Sequence, residues 1–278
     1  LKAIKEEEVA GEAVRMYEHH LKQARAYYKV GKVAKYDVTT AEVDLSNGNL
    51  DLIKARTSVK TAKSGLVNAM GYPEAPDFDI EDILSYEKID LTREQALKAA
   101  FSERPDLKNL EATKGASEMS VAVAAKSNSP TLSANAGYSW GDDSFTGNDD
   151  LYLGLSLNVS LYDGDLAKEK VREAKANLEE SDANLEALRQ DVILEVDKAF
   201  LEVQDSEQAV AAAGETIRQA KENMDLANGR YEVGVGSPVE VTDATENYID
   251  AKNTYYGTLY DYKMAFAALE EAVGGKVK

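Results

Sequence analysis

Hydrophobic and polar positions along this chain follow two periods. Over most of its length apolar residues recur every three, four or seven positions, as on the packed face of a helix. Residues 1 to about 29 are charged and rich in Ala, Glu and Lys, with Val9, Met16, Tyr17 and Leu21 as the apolar set, which predicts a helix. Tyr36 to Met70 predicts a returning helix stopped by Gly71 and Pro73. Thr92-Arg93-Glu94-Gln95 has the form of a helix start, and Leu97 to Arg104 and Pro105 to Lys126 predict two helices parted before Pro105. From Asp165 to Arg230 no proline interrupts the pattern. Val171, Leu178, Leu185, Val192 and Ala199 recur every seven residues, and in a second phase so do Val196, Val203, Val210, Ile217, Met224 and Tyr231. Two phases predict a helix that changes neighbours or meets neighbours on two sides, and at 1.5 Å per residue it would run about 100 Å. A long dimeric coiled coil is the alternative; the wide, Ala-rich face favours a helix flanked by two others. A last helix is predicted from Ser237 to Gly274-Gly275.

The second period is two. Leu132, Ala134, Ala136, Tyr138 and Trp140 alternate with Ser133, Asn135, Gly137 and Ser139. Leu151, Leu153, Leu155, Leu157, Val159 and Leu161 alternate with Tyr152, Gly154, Ser156, Asn158 and Ser160. With the acidic Gly141 to Asp150 loop between them, these runs predict a hairpin with one apolar face and one small, polar face. Length and pattern suit a pair of outer-membrane strands, with Tyr138, Trp140, Tyr152 and Tyr162 as interfacial aromatics. A hairpin on an ordinary soluble sheet is the alternative, weakened because a lone hairpin is marginal in water and no other strand pattern is evident.

The helical regime also repeats itself. Tyr28-Lys29-Val30-Gly31 and Tyr231-Glu232-Val233-Gly234 stand at an offset of 203 residues (Tyr28 to Tyr231), and the register persists through Lys60 and Lys263, Ala62 and Ala265, Leu66 and Leu269, Ala69 and Ala272, and Gly71 and Gly274. Identities at one offset over some forty residues indicate an internal duplication whose unit is helix, tight tip and returning helix. At the second tip Gly234 and Gly236 are expected at positive φ, and Ser237-Pro238-Val239-Glu240 has the form of a capping box with proline at the first helical position. In the first copy Ala34 replaces the capping serine, while Asp37 keeps an acid in the first turn, where the helix dipole favours it.

Composition narrows the function classes. The chain has 278 residues and a net charge of −18, which argues against a nucleic-acid partner. It contains no cysteine, so disulfides, thiolate metal sites and a cysteine nucleophile are out. Walker and Rossmann glycine patterns are missing, no apolar run approaches the roughly 20 residues of a spanning helix, and no signal peptide opens the sequence. No nucleophile, base and cofactor motifs converge, so neither catalysis nor a cofactor is expected. His19 and His20 are adjacent, point about 100° apart on a helix and make a poor metal pair; solvated surface is the expectation. Asp142-Asp143 and Asp149-Asp150 are candidates for calcium, but without a ligand-spaced glycine loop an exposed acidic loop is preferred.

The two tips, the Asp37-Val38 and Glu240-Val241-Thr242-Asp243-Ala244-Thr245 segments after them, the Gly71 and Gly274 endings, and the hairpin running into Leu161-Tyr162-Asp163-Gly164 together resemble the TolC-like outer-membrane efflux and secretion channel family. The resemblance implies a mainly α chain with a transmembrane β-hairpin, three copies building a trimeric β-barrel in the outer membrane and a long α-helical barrel in the periplasm. On that plan residues 1–71 are the first helix-tip-helix, 72–90 an equatorial segment, 91–129 equatorial and ascending helices, 130–162 the membrane hairpin, 163–274 the second helix-tip-helix and 275–278 a tail. Shifted back by the repeat, the hairpin falls before residue 1, so a second hairpin and about forty residues of helix are expected upstream in a longer polypeptide. Two strands per chain leave open edges; four from each of three subunits would close a barrel.

The resemblance also implies roles. It places acids at Glu240 and Asp243 around the periplasmic constriction, where three copies would form a cation-favouring ring of carboxylates. Capping of Ser237 is the plainer role for Glu240, whereas Asp243 has none. Tyr231 is associated with the gate, and Val30, Gly31, Val233 and Gly234 with docking of an adaptor. Where the family archetype carries a basic residue two positions after the tip glycine, this chain has Gly236, so a closed state tied by that residue is in doubt. The implied protein is a homotrimeric, passive exit duct for efflux or type I secretion, opened by a periplasmic adaptor and an inner-membrane transporter. A periplasmic adaptor or other non-channel coiled-coil scaffold is the alternative, but an adaptor carries one helical hairpin flanked by β-rich halves.

Overall fold

A computed structural model of the chain describes residues 1–72, 78–88, 90–141 and 148–276, with the backbone alone at 140, 141, 148 and 149. Its elements are α1 (Lys2–Lys29), α2 (Lys35–Ala69), α3 (Arg93–Glu103), α4 (Pro105–Ala125), β1 (Thr131–Gly141), β2 (Asn148–Asn158), α5 (Leu166–Glu232) and α6 (Pro238–Val273). Both strands and the break before Pro105 lie where the sequence pattern puts them. None of the described helices is long and apolar enough to cross a membrane.

The chain divides into two compact units, Leu1–Ala96 with Val196–Ala272, and Leu97–Glu195 with Val273–Lys276. In the first, the two helical hairpins pack side by side. Leu21 and Ala24 of α1 meet Val38, Ala41 and Leu45 of α2. Met16 of α1 joins Ile217, Ala220, Met224 and Ala227 of α5 and Ala244 and Tyr248 of α6. Alanine among these positions lets helices approach closely, with leucine, methionine and tyrosine side chains filling the space between them. The second heptad phase is the buried one here: Val196, Val203, Val210, Met224 and Tyr231 are all enclosed, and a fully buried valine contributes about 1.5–3 kcal/mol. Polar ties cross between helices, with Thr242 Oγ1 donating to Asp44 Oδ2 at 3.1 Å and Lys252 paired with Glu12.

The irregular stretch after α2 is lashed to this unit by side chains. Lys5 pairs with Asp82 at 2.6 Å, Tyr86 donates to Glu207 at 2.6 Å, and Tyr262 donates to the Glu87 carbonyl at 2.5 Å. Thr92 and Gln95 then form a reciprocal capping box, each side chain accepting from the other's backbone amide, which starts α3. Pro73, Pro76 and Asp77, expected in this stretch, lie outside the described residues.

In the second unit α4 runs antiparallel to the first part of α5. Pairs along them read Glu111 with Arg189, Lys114 with Asp182, and Ser117 with Ser181. At the foot of α4 the Arg104 guanidinium, only 12% exposed, forks onto Asp106 and reaches Glu195 at 2.6 Å. The first heptad phase is buried here through Leu185 and Val192. The hairpin pairs antiparallel with Leu132 opposite Leu157, Ala134 opposite Leu155, Ala136 opposite Leu153 and Tyr138 opposite Leu151, so all the apolar partners share one face. β2 ends at Asn158, however, so Val159, Leu161 and Tyr162 lie beyond the ladder, and β1 and β2 reach to Gly141 and Asn148 inside the expected acidic loop. Tyr152 sits on the polar face opposite Gly137, with its ring covering that glycine, and so does not share the face of Tyr138.

Candidate functional site

The site is the end of the first unit at which the two tips meet. Both turns close with the same hydrogen bonds. Gly31 N donates to the Tyr28 carbonyl at 3.0 Å and Lys32 N to that of Tyr27 at 2.9 Å; Gly234 N donates to the Tyr231 carbonyl at 3.0 Å and Val235 N to that of Arg230 at 3.0 Å. These four donor–acceptor pairs correspond residue for residue across the repeat. Gly31 and Gly234 have φ of 74° and 78°, the left-handed region that ends a helix. Gly236 does not share it, contrary to expectation. Its requirement is space: a Cβ there would lie 2.9 Å from the Tyr231 amide nitrogen and 3.0 Å from Arg230 Cβ.

The tips are in direct contact. Tyr27 donates its hydroxyl to the Glu232 carbonyl at 3.0 Å, and the Tyr231 ring, 3% exposed, stands between Tyr27 and His20 with centroids 5.5 and 5.3 Å away. The duplicated bends therefore lie together. His20 is 7% exposed, which corrects its expected place on the solvated surface; its position on α1 faces the second hairpin, while the neighbouring His19 faces outward. Neither His20 Nδ1 nor the Tyr231 hydroxyl has a hydrogen-bond partner among the described residues. Burial lowers the proton affinity of His20, against an opposing pull from Asp44, and burial raises the Tyr231 hydroxyl, with Asp37 adding to it.

Around this buried aromatic group the candidate residues are on the surface. Val30 and Val233 are 69% and 75% exposed, and Val235 and Val239 are exposed as well. Glu240 and Asp243 lie on the exposed side of the first two turns of α6. Only half of the expected capping box forms: the Glu240 amide donates to Ser237 Oγ at 3.2 Å, while the Glu240 carboxylate accepts from Arg230 Nε at 3.2 Å. In the first copy the other half forms, the Ala34 amide donating to Asp37 Oδ2 at 3.2 Å. Past Asp243 the acids continue with Glu246 and Asp250, facing Asp44 of α2; burial, then Asp44, Asp243 and Asp250, pushes the Glu246 carboxyl up. Nothing in the sequence pattern singled out Arg230 or this extended acidic run, and His20 was expected at the surface rather than inside. The run shows only as acids three and four apart on one helix.

No group of three or more His, Asp or Glu suited to a metal occurs among the described residues. Asp142 and Asp143 lie outside them.

Residues 96–275 match the model of a protein family described as outer membrane efflux protein. The chain belongs to that family. Among relatives of the outer membrane efflux protein family, it is 26% identical over 279 residues to the outer membrane protein TolC of Escherichia coli K12, covering 91% of this chain and 55% of that one. It is 22% identical over 267 residues to the TolC of Vibrio cholerae, covering 91% and 60%. The chain thus spans somewhat over half the length of these curated relatives. Its fold superposes on the solved structure of CusC with a TM-score of 0.77 at 18% identity, over 99% of this chain and 65% of that one. The fold is therefore the mainly helical one of TolC-like channels, with a small sheet.

Proposed function

We propose that this chain is part of an outer-membrane exit duct for efflux or type I secretion, a homotrimer that catalyses nothing and conducts passively. The observation that carries the proposal is the hairpin's leucine face. Leu132, Leu151, Leu153, Leu155 and Leu157 are 67–80% exposed along one side of a ladder whose other side is small and polar. Such a surface is stable only against lipid or protein, and its open edges call for strands from further copies of the chain. On this reading 130–162 is the membrane hairpin, 1–71 and 163–274 are the two hairpins of a periplasmic helical barrel, 72–90 and 91–129 are the equatorial belt and ascending helices, and 275–278 is a tail.

Family membership, and names such as outer membrane protein TolC among the relatives, support the location and the duct. The exposed valines at Val30 and Val233, beside Gly31 and Gly234, suit a periplasmic adaptor docking on behalf of an inner-membrane transporter. Tyr231, buried beneath them, suits a residue whose displacement opens the end. Glu240 and Asp243 of three copies form the periplasmic constriction as a ring of six carboxylates, which favours cations.

The test is conductance of the full-length protein in planar bilayers. Trimeric channels are expected, and replacing Glu240 and Asp243 by Ala should raise their conductance or weaken block by multivalent cations. A protein that stays monomeric and detergent-free and forms no channels would overturn the duct in favour of a scaffold. Channels whose conductance and block ignore the double substitution would remove the ring alone.

A further inference from the structure

We propose that Arg230 sets the effective charge of the constriction, a role that rests on the ring of Glu240 and Asp243 and refines it. Arg230 is the basic residue in the last turn of α5, where the helix dipole favours a cation, and it stands ten residues before Glu240 across the tip. Two features hold it there. Its carbonyl accepts from Val235 N at 3.0 Å and Gly236 N at 2.9 Å, so the turn is folded around its backbone. The bare Cα of Gly236 then leaves room for Arg230 Cβ, which lies 3.0 Å from where a side chain would begin. Nε and Oε2 meet at 3.2 Å, with the two side chains 56% and 47% exposed.

A pair so exposed is weakly held, but its charge acts on a passing ion whether or not the hydrogen bond is made at that instant. Each protomer then presents Glu240, Asp243 and Arg230 together, one net negative charge in place of two. Gly236 and Arg230 are linked in this: the tip has no basic side chain in its loop because its cation sits at the helix end and needs the glycine's space.

The test uses the full-length trimer in planar bilayers, reading the K⁺/Cl⁻ permeability ratio from reversal potentials in a KCl gradient, and block by Mg²⁺. R230Q should raise cation preference, and three uncovered charges about 10 Å from a divalent ion should tighten block about five-fold at 0.1 M salt. E240Q should lower both. R230Q/E240Q restores the net charge and should return both to wild type, a result that loss of a structural role would not give. R230K keeps the charge and should behave as wild type; a changed ratio in R230K overturns the proposal. It is also overturned if R230Q leaves the ratio and the block unmoved, or if the double variant follows R230Q. D243N separates this failure from that of the ring: if D243N shifts permeation while R230Q does not, only the role of Arg230 falls, and if neither does, the ring falls with it.

Discussion

Gly71 and Gly274 end equivalent helices of the two repeats with nearly the same backbone, φ of 75° and 83°, yet alanine should cost them different amounts. At either position an L side chain in the left-handed region costs about 1–2 kcal/mol. At Gly71 that is all, because among the described residues nothing lies within 4 Å of the place a Cβ would take. At Gly274 the new methyl would lie 2.9 Å from Arg104 Cγ, 3.0 Å from Arg104 Cα and 3.1 Å from its amide nitrogen. Two of those atoms are backbone, and the Arg104 side chain is held by Asp106 and Glu195, so the neighbour cannot swing away. Overpacking of this kind adds about 1–3 kcal/mol. Gly274→Ala should therefore cost about 2–5 kcal/mol against about 1–2 kcal/mol for Gly71→Ala. Gly275→Ala, with no described residue near the added methyl and no positive φ, should stay within about 0.5 kcal/mol. Guanidinium unfolding of the purified protein in detergent, followed by helical circular dichroism, gives the three midpoints on one scale. Equal shifts for Gly71→Ala and Gly274→Ala would refute the contact with Arg104 as a source of stability.

On the proposed duct, Leu153→Arg, on the leucine face, should destabilise the hairpin in the membrane by about 2–4 kcal/mol while Ser156→Arg on the other face is tolerated, as read from the heat resistance of the proposed trimer. His20 is held neutral by burial below its ordinary value of 6.5, so its contribution to the tip is complete above that pH and is lost as the pH falls through the lowered value. The protection factors of amides near His20, taken against the intrinsic exchange rate at each pH, should accordingly fall between about pH 7.5 and about pH 5, and His20→Gln should remove that fall. The Arg104 guanidinium holds the Asp106 carboxyl below its ordinary 3.8, so the pair stabilises above about pH 4 and is lost as the pH drops through the depressed value. Asp106→Asn should cost about 1 kcal/mol at neutral pH, because the carboxylate is 43% exposed, and should flatten the acid limb of the unfolding profile.

The architecture was legible because it rests on periods. Two heptad phases on α5 announced two sets of neighbours, and the buried residues change from one phase to the other between Val192 and Val203. The hairpin's alternation located its ladder and its lipid-compatible face, but not its ends, since Val159 and Leu161 keep the pattern after pairing has stopped. At the site, the tips were legible from Gly31 and Gly234, whose conformation almost dictates the residue. His20 was not, because a histidine's burial depends on which way one helix turns toward a partner 200 residues away in sequence. Arg230 escaped for a related reason: its partner is chosen by a turn geometry that no spacing rule encodes.

The two tips also show how a copied unit can acquire separate tasks without losing its shape. A capping box needs two arms, the cap side chain to the N3 amide and the N3 carboxylate back to the cap amide. The first copy has Ala34 where the second has serine, so Asp37 must supply its arm and its carboxylate is committed to the Ala34 amide, with the Asp37 amide falling back on the Ala34 carbonyl at 3.2 Å. The second copy has Ser237, which secures the Glu240 amide by itself, and the Glu240 carboxylate is free to meet Arg230. Keeping one serine is thus what allows an acid in the second copy to act on something other than its own helix. Ser237→Ala should draw Glu240 back onto the cap and away from Arg230, giving the second tip the hydrogen bonding of the first. Structures of that variant with the Glu240 carboxylate still on Arg230 would show that the two groups hold one another without help from the serine, and the division of labour argued from the capping boxes would fail.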